Sequence, residues 1–290
     1  MDPQTSDRSV KPSLITKHVR AMRFRIGFTY MLTLAEVSFE LLYPWAIGLA
    51  INGLIGSDPW ALSWLAGVWA AHIVVGGARQ AYDTRLFSKL SAAIATDLSV
   101  TQRASGEMVS AVSARAAMVE EVRDFLEFEV PYLMTLVLGL FGGLAMIYVY
   151  DSVSGVIMTA LLIPVTAIFF RLGKVSLRLH RVYNDQSERQ VTAIERGQRS
   201  SLRTHFLRLA KLRIRLSDRD VMSWTGTEAL ALIATCLIVL QLAAQPEISA
   251  GELFAALTYV LIVVDNIDEV PEGVQKMAKL IDIRDRLRTE

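Results

Sequence analysis

Two carboxylates stand inside an apolar run that needs a reason to hold them. Glu36 and Glu40 lie in the stretch from Ile26 to Leu54, which contains no Lys or Arg and is long enough to cross a bilayer. Four residues apart, they share one face of a helix, and Glu40 falls near the middle of the run. Each costs roughly 2.5–3.5 kcal/mol at the centre of a membrane helix, so both are expected to look into a bundle or a wet cavity. There they can carry protons or ligate a cation, or serve as a polar lock hydrogen-bonded to neighbouring helices. His72 sits in a second apolar run at a depth close to that of Glu40. Imidazole titrates near physiological pH, so a Glu40–His72 contact would make a proton relay; a packing histidine with one hydrogen bond is the plainer alternative. Asp265, Asp268, Glu269 and Glu272 follow the helical spacing i, i+3, i+4, i+7 at the end of the last apolar run. Asp265 is deep enough to line an inner vestibule and favour cations, whereas from Asp268 onward a solvated continuation is expected. Glu228, in the fifth apolar run, admits either reading for the same reason of depth.

These side chains need elements to position them. The chain has 290 residues, 52% of them apolar, and a net charge of +1; with its positive mean hydropathy this is too apolar for a soluble protein with one ordinary core. Apolar runs recur at Trp60–Gly77, Val130–Tyr150, Val153–Phe170, Met222–Leu242 and from Gly251 onward. The turns Gly56–Pro59, Asp151–Ser152 and Gln245–Ser249 carry no basic residue, while the N-terminus and the segments Arg79–Asp124 and Arg171–Asp220 are rich in Arg and Lys. The positive-inside rule then predicts six spans with both termini and both long loops cytoplasmic. If the flanking spans continue as helices, each loop is a helical hairpin projecting on the order of 35 Å. The basic loops are expected to reflect this topology and not a nucleic-acid site, because acids accompany the charges. An amphipathic stretch from Leu14 to Phe24 suits an elbow lying in the membrane surface. The lone cysteine, Cys236, excludes an internal disulfide and reads as a small buried hydrophobe. The expected fold class is all-α: a polytopic membrane protein with an elbow at 1–25, a six-helix domain at 26–272 and a cytoplasmic helix at 273–290.

Four local patterns share one resemblance. They are Leu42-Tyr43-Pro44-Trp45-Ala46-Ile47-Gly48, Gly106-Glu107-Met108-Val109-Ser110, Ile248-Ser249-Ala250-Gly251-Glu252-Leu253-Phe254-Ala255 and Met277-Ala278-Lys279-Leu280-Ile281-Asp282-Ile283-Arg284. In this order and spacing, the chain resembles the transmembrane domain of ABC exporters of the type I (type IV) fold. The resemblance implies a homodimer in a bacterial cytoplasmic membrane, and intracellular tips near Gly106, Glu107, Arg199 and Arg203 on which an ATPase docks. A Walker A loop is not matched: Gly173-Lys174-Val175 lacks the earlier glycine and the adjacent hydroxyl. The chain stops where that family runs on into its ATPase, and Ala111 and Arg115 replace the usual Arg and Asp of the first tip. No enzyme activity, cofactor or metal is therefore expected of these residues. The implied function is translocation of an amphipathic or cationic small molecule or peptide, powered by a separately encoded ATPase. A proton-driven transporter using Glu36, Glu40 and His72 is the alternative, and a membrane scaffold or sensor is a third.

Overall fold

The computed structural model describes residues 14–106 and 108–289, and among them every regular element is a helix. In chain order these are α1 (Leu14–Ala21), α2 (Arg23–Ile55), α3 (Leu62–Ala104), α4 (Val109–Asp124), α5 (Val130–Tyr150), α6 (Ser152–Glu188), α7 (Gln190–Arg196), α8 (Arg199–Ala243) and α9 (Ala250–Thr289). Among the described residues, six helices are long and apolar enough to cross a membrane. The two basic segments are not separate domains. α3 continues helical through Arg79 to Ala104, a further 37 Å or so at 1.5 Å per residue. α6 and α8 likewise extend past their apolar stretches.

Breaks fall where local chemistry ends a helix. Gly106 and Gly197 take positive φ of 79° and 65° at the two hairpin tips, a conformation glycine adopts without steric cost. At the opposite ends, Asp58 accepts a hydrogen bond from the Trp60 N–H at 3.0 Å. Ser249 and Glu252 form a capping box before α9, with Glu252 Oε2 accepting from the Ser249 N–H at 2.9 Å. Asp151 caps α6, accepting from the Ser154 N–H at 2.7 Å and from the Ser154 hydroxyl at 2.6 Å. Gln245 Nε2 donates to its other oxygen at 2.9 Å. Burial pushes the Asp151 carboxyl up, but these hydrogen bonds more than offset it and hold the group below the usual carboxylate range. A depressed folded-state pKa contributes stability above the unfolded value near 4, and that contribution disappears as pH falls through the folded value. Asp151→Ala is therefore expected to cost about 1 kcal/mol at pH 7. The penalty should shrink at acidic pH, as read by thermal unfolding of both proteins across a pH series.

The chain divides into two compact units, one built from residues up to Gly142 together with those from Glu269 onward, the other from Gly143–Asp268. In the first, an apolar core joins Ile26 of α2, Leu86, Phe87, Leu90 and Ile94 of α3 and Val119 of α4. It lies along the polar extension of α3, whereas none of that helix's most apolar 18-residue window is buried. The physical reason is solvent: apolar side chains gain by leaving water, but gain little by leaving lipid. One π-turn, Phe125–Glu129, joins α4 to α5. Such a turn takes a carbonyl out of the regular ladder, and the Tyr30 hydroxyl donates to the Leu126 carbonyl at 3.1 Å.

In the second unit, α6 and α8 run side by side and α9 packs its Ala255, Ala256, Tyr259, Val260 and Val263 inward. Gly143 permits this approach: a Cβ there would lie 2.9 Å from Val263. Cys236 departs from expectation, being exposed on α8. In a membrane helix, an apolar residue needs no protein neighbour, because lipid covers it equally well.

Candidate functional site

Helical periodicity on two antiparallel helices assembles one polar cluster. On α2, Glu36, Glu40 and Tyr43 occupy i, i+4 and i+7; on α3, His72, Gly76, Arg79 and Asp83 occupy i, i+4, i+7 and i+11. Because the helices run in opposite directions, the early residues of one stripe meet the late residues of the other. Arg79 Nε donates to Glu36 Oε2, and its terminal nitrogen donates to Asp83 Oδ2 at 2.8 Å. His72 Nε2 stands 3.8 Å from both Glu36 Oε1 and Glu40 Oε1. The Tyr43 hydroxyl contacts His72 Nδ1. If the phenol donates there, the imidazole proton sits on Nε2, facing both carboxylates. Trp69 leans on the Tyr43 ring at 5.3 Å between centroids. The fully buried Thr29 hydroxyl stands against Asp83.

Three carboxylates thus face one permanent cation and one imidazole. With His72 neutral the cluster carries a formal excess of two negative charges, and protonating His72 reduces it by one. Gly76 makes room for this arrangement, since a Cβ there would fall 2.8 Å from Glu36 Oε1. Pro44 has no N–H to give the Glu40 carbonyl, which loosens the α2 ladder on the same stretch. Glu36 has only 16% of its side-chain surface exposed, but Glu40 has 47%. Glu36 is accordingly the held carboxylate and Glu40 the accessible one. His72 Nε2 stands within ion-pairing distance of both carboxylates, and the negative excess favours a cation beside Glu40.

The expected trio of Glu36, Glu40 and His72 therefore comes together. Arg79, Asp83 and Tyr43 join it, although sequence reasoning did not single them out. In the sequence Arg79 opens a basic cytoplasmic segment, yet its guanidinium reaches back along the helix to Glu36. The signal was present in the spacing His72–Gly76–Arg79–Asp83, which keeps one face of α3.

The second unit holds its own acidic group. Glu228 and Trp224 of α8 stand beside Asp268, and Glu228 also lies near Asp265. This corrects the expectation for Asp268, which is tied to α8 instead of continuing as a solvated face. Asp265 is exposed. Beyond it Glu269 accepts from the Tyr132 hydroxyl, and Lys276 bridges Glu129 at 2.8 Å and Glu272 at 3.1 Å in the first unit. Of the tip residues, Gly106 lies in the turn after α3, and Arg199 and Arg203 occupy the first turns of α8 with exposed side chains. Glu107 lies outside the described residues. Among those residues, no cluster of His, Cys, Asp and Glu has the makings of a metal site.

Comparison with characterised proteins gives no match. A family described as the ABC transporter transmembrane region matches residues 15–251, most of the chain. Six apolar helices, two helical hairpins extending beyond them and this match together place the chain in the ABC transporter transmembrane region family, as a multi-pass membrane subunit of ABC type.

Proposed function

We propose that this protein moves an amphipathic or cationic small molecule or peptide across the bacterial cytoplasmic membrane, as a homodimer driven by a separately encoded ATPase. The observation that carries the reading is the form of the two hairpins. α3 with α4, and α6 with α8, carry helical structure well past the apolar stretches and end in tight glycine turns. Continuous helices transmit displacement with little loss, so a partner gripping the tips near Gly106, Arg199 and Arg203 would move the spans. The charge excess around Glu40, and the acidic group of Glu228, Asp265 and Asp268, favour a cationic cargo. No nucleic-acid role, cofactor or catalysis by this chain is part of the reading. Inside-out proteoliposomes holding the protein, with and without an ATPase subunit encoded beside its gene, test it. Uptake of a fluorescent amphipathic cation is expected only with that subunit and ATP. Full uptake without either would overturn the proposal.

A second reading rests on one observation of its own, the placing of His72 Nε2 between Glu36 and Glu40 with Tyr43 behind it. In it, protons moving down their gradient protonate and release this group during each cycle, and no ATPase is required.

A further inference from the structure

The elbow has two faces. Val19 and Met22 pack on the apolar core of the first unit, and His18 Nε2 meets Asp97 of α3 at 2.8 Å. The opposite face is open. At the bend between α1 and α2, where Met22 leaves helical geometry with φ −99° and ψ 9°, a cavity of about 540 Å³ is lined by Thr16, Lys17, Arg20, Ala21, Arg23 and Phe24. Three of the six are cations and none is an acid. Lys17, Arg20 and Arg23 are exposed, and no carboxylate among the described residues pairs with them. The Arg23 guanidinium carbon stands 4.8 Å from the centre of the Phe24 ring. The cavity does not end at its charges. Phe24, Phe28 and Met31, at i, i+4 and i+7, form an exposed apolar stripe running from the cavity along α2 into its spanning stretch.

We propose that this cavity binds one anionic phospholipid, with Lys17, Arg20 and Arg23 around its phosphate and an acyl chain along Phe24, Phe28 and Met31. Charge complementarity selects the headgroup, and the stripe selects a lipid over a free phosphate, which would have no use for it. Cations of this kind at an interfacial helix are drawn to anionic lipid, and the Arg guanidinium matches a phosphate in two-pronged fashion. The bound lipid would then fix the angle at which the elbow enters α2. The inference needs only that α2 spans the membrane, and it stands whichever energy source drives transport.

The test uses the full chain in non-ionic detergent, titrated with phosphatidylglycerol or phosphatidylcholine and read by native mass spectrometry. Phosphatidylglycerol is expected to be retained and phosphatidylcholine lost. Lys17→Gln/Arg20→Gln/Arg23→Gln should weaken phosphatidylglycerol binding about a hundredfold, from roughly fivefold per charge near an anionic surface. Arg25→Gln, whose side chain does not line the cavity, should leave it unchanged. Phe24→Ser should weaken the lipid as well, and millimolar inorganic phosphate should not displace it. All these side chains are exposed, so the variants should unfold at the wild-type temperature. Equal retention of both lipids, an equal effect of Arg25→Gln and Arg20→Gln, or displacement by inorganic phosphate would each overturn the proposal.

Discussion

Arg79→Leu is expected to destabilise the first unit by about 3 kcal/mol. Arg79 is the one cation bridging Glu36 on α2 and Asp83 on α3, and both carboxylates are mostly shielded from water, with side-chain exposures of 16% and 4%. Removing one partner of a buried pair leaves charge uncompensated, at a cost of about 3–5 kcal/mol. The lower end applies because the guanidinium itself retains some solvent contact. Glu36→Gln should cost only about 1 kcal/mol, since the amide still accepts from Arg79 and Asp83 still neutralises it. Combining Arg79→Leu with Glu36→Leu should recover part of the loss, because apolar replacement of a whole buried pair is often close to neutral. Denaturant unfolding of the detergent-solubilised variants measures all three. If Arg79→Leu lies within about 0.5 kcal/mol of wild type, this network does not hold α2 to α3.

The second large effect concerns energy coupling and separates the two readings of the cluster. Glu40 is the more exposed of its carboxylates, and its recorded partner is His72 at 3.8 Å. Glu40→Gln therefore keeps shape and hydrogen-bonding capacity while deleting a titratable proton, and should leave the fold almost untouched. If protons drive transport, the Glu36→Gln/Glu40→Gln protein should show the same flux with and without an imposed pH gradient, down to the level of the gradient-free wild type. If the cluster is a polar lock in an ATP-driven machine, Glu40→Gln should transport like wild type. Glu40→Leu should then be the damaging change, because it leaves His72 facing an apolar group. Proteoliposomes with a set pH difference and no nucleotide read the first outcome, and the same vesicles with the ATPase subunit and ATP read the second. Gradient-dependent flux surviving in the double variant would remove the proton reading.

Much of this architecture is written in local pattern. The apolar runs set the six helices, the distribution of Arg and Lys marked the two hairpins, and the turns holding Asp58, Asp151, Ser249 and Gly106 stand where helices end. Those features depend on residues within a few positions of each other, so no tertiary contact is needed to read them. The same holds for the shared face of Glu36 and Glu40. What a one-dimensional pattern leaves open is which face meets which. Arg79 looked like a cytoplasmic anchor, but its long side chain turns back to Glu36 because the antiparallel register of α2 and α3 puts a shielded carboxylate within reach. Asp268 looked like the start of a solvated face until α8 brought Glu228 and Trp224 beside it. Cys236 looked buried because it is apolar, yet hydropathy in a spanning helix reports only the absence of water and does not distinguish lipid from protein. The bend at Met22 and the π-turn at Phe125–Glu129 likewise follow from docking, since nothing in the local residues forbids a straight helix there. Periodicity chooses the stripes; packing in the first unit chose their partners, because a buried charge is tolerated only where the register supplies its counterion.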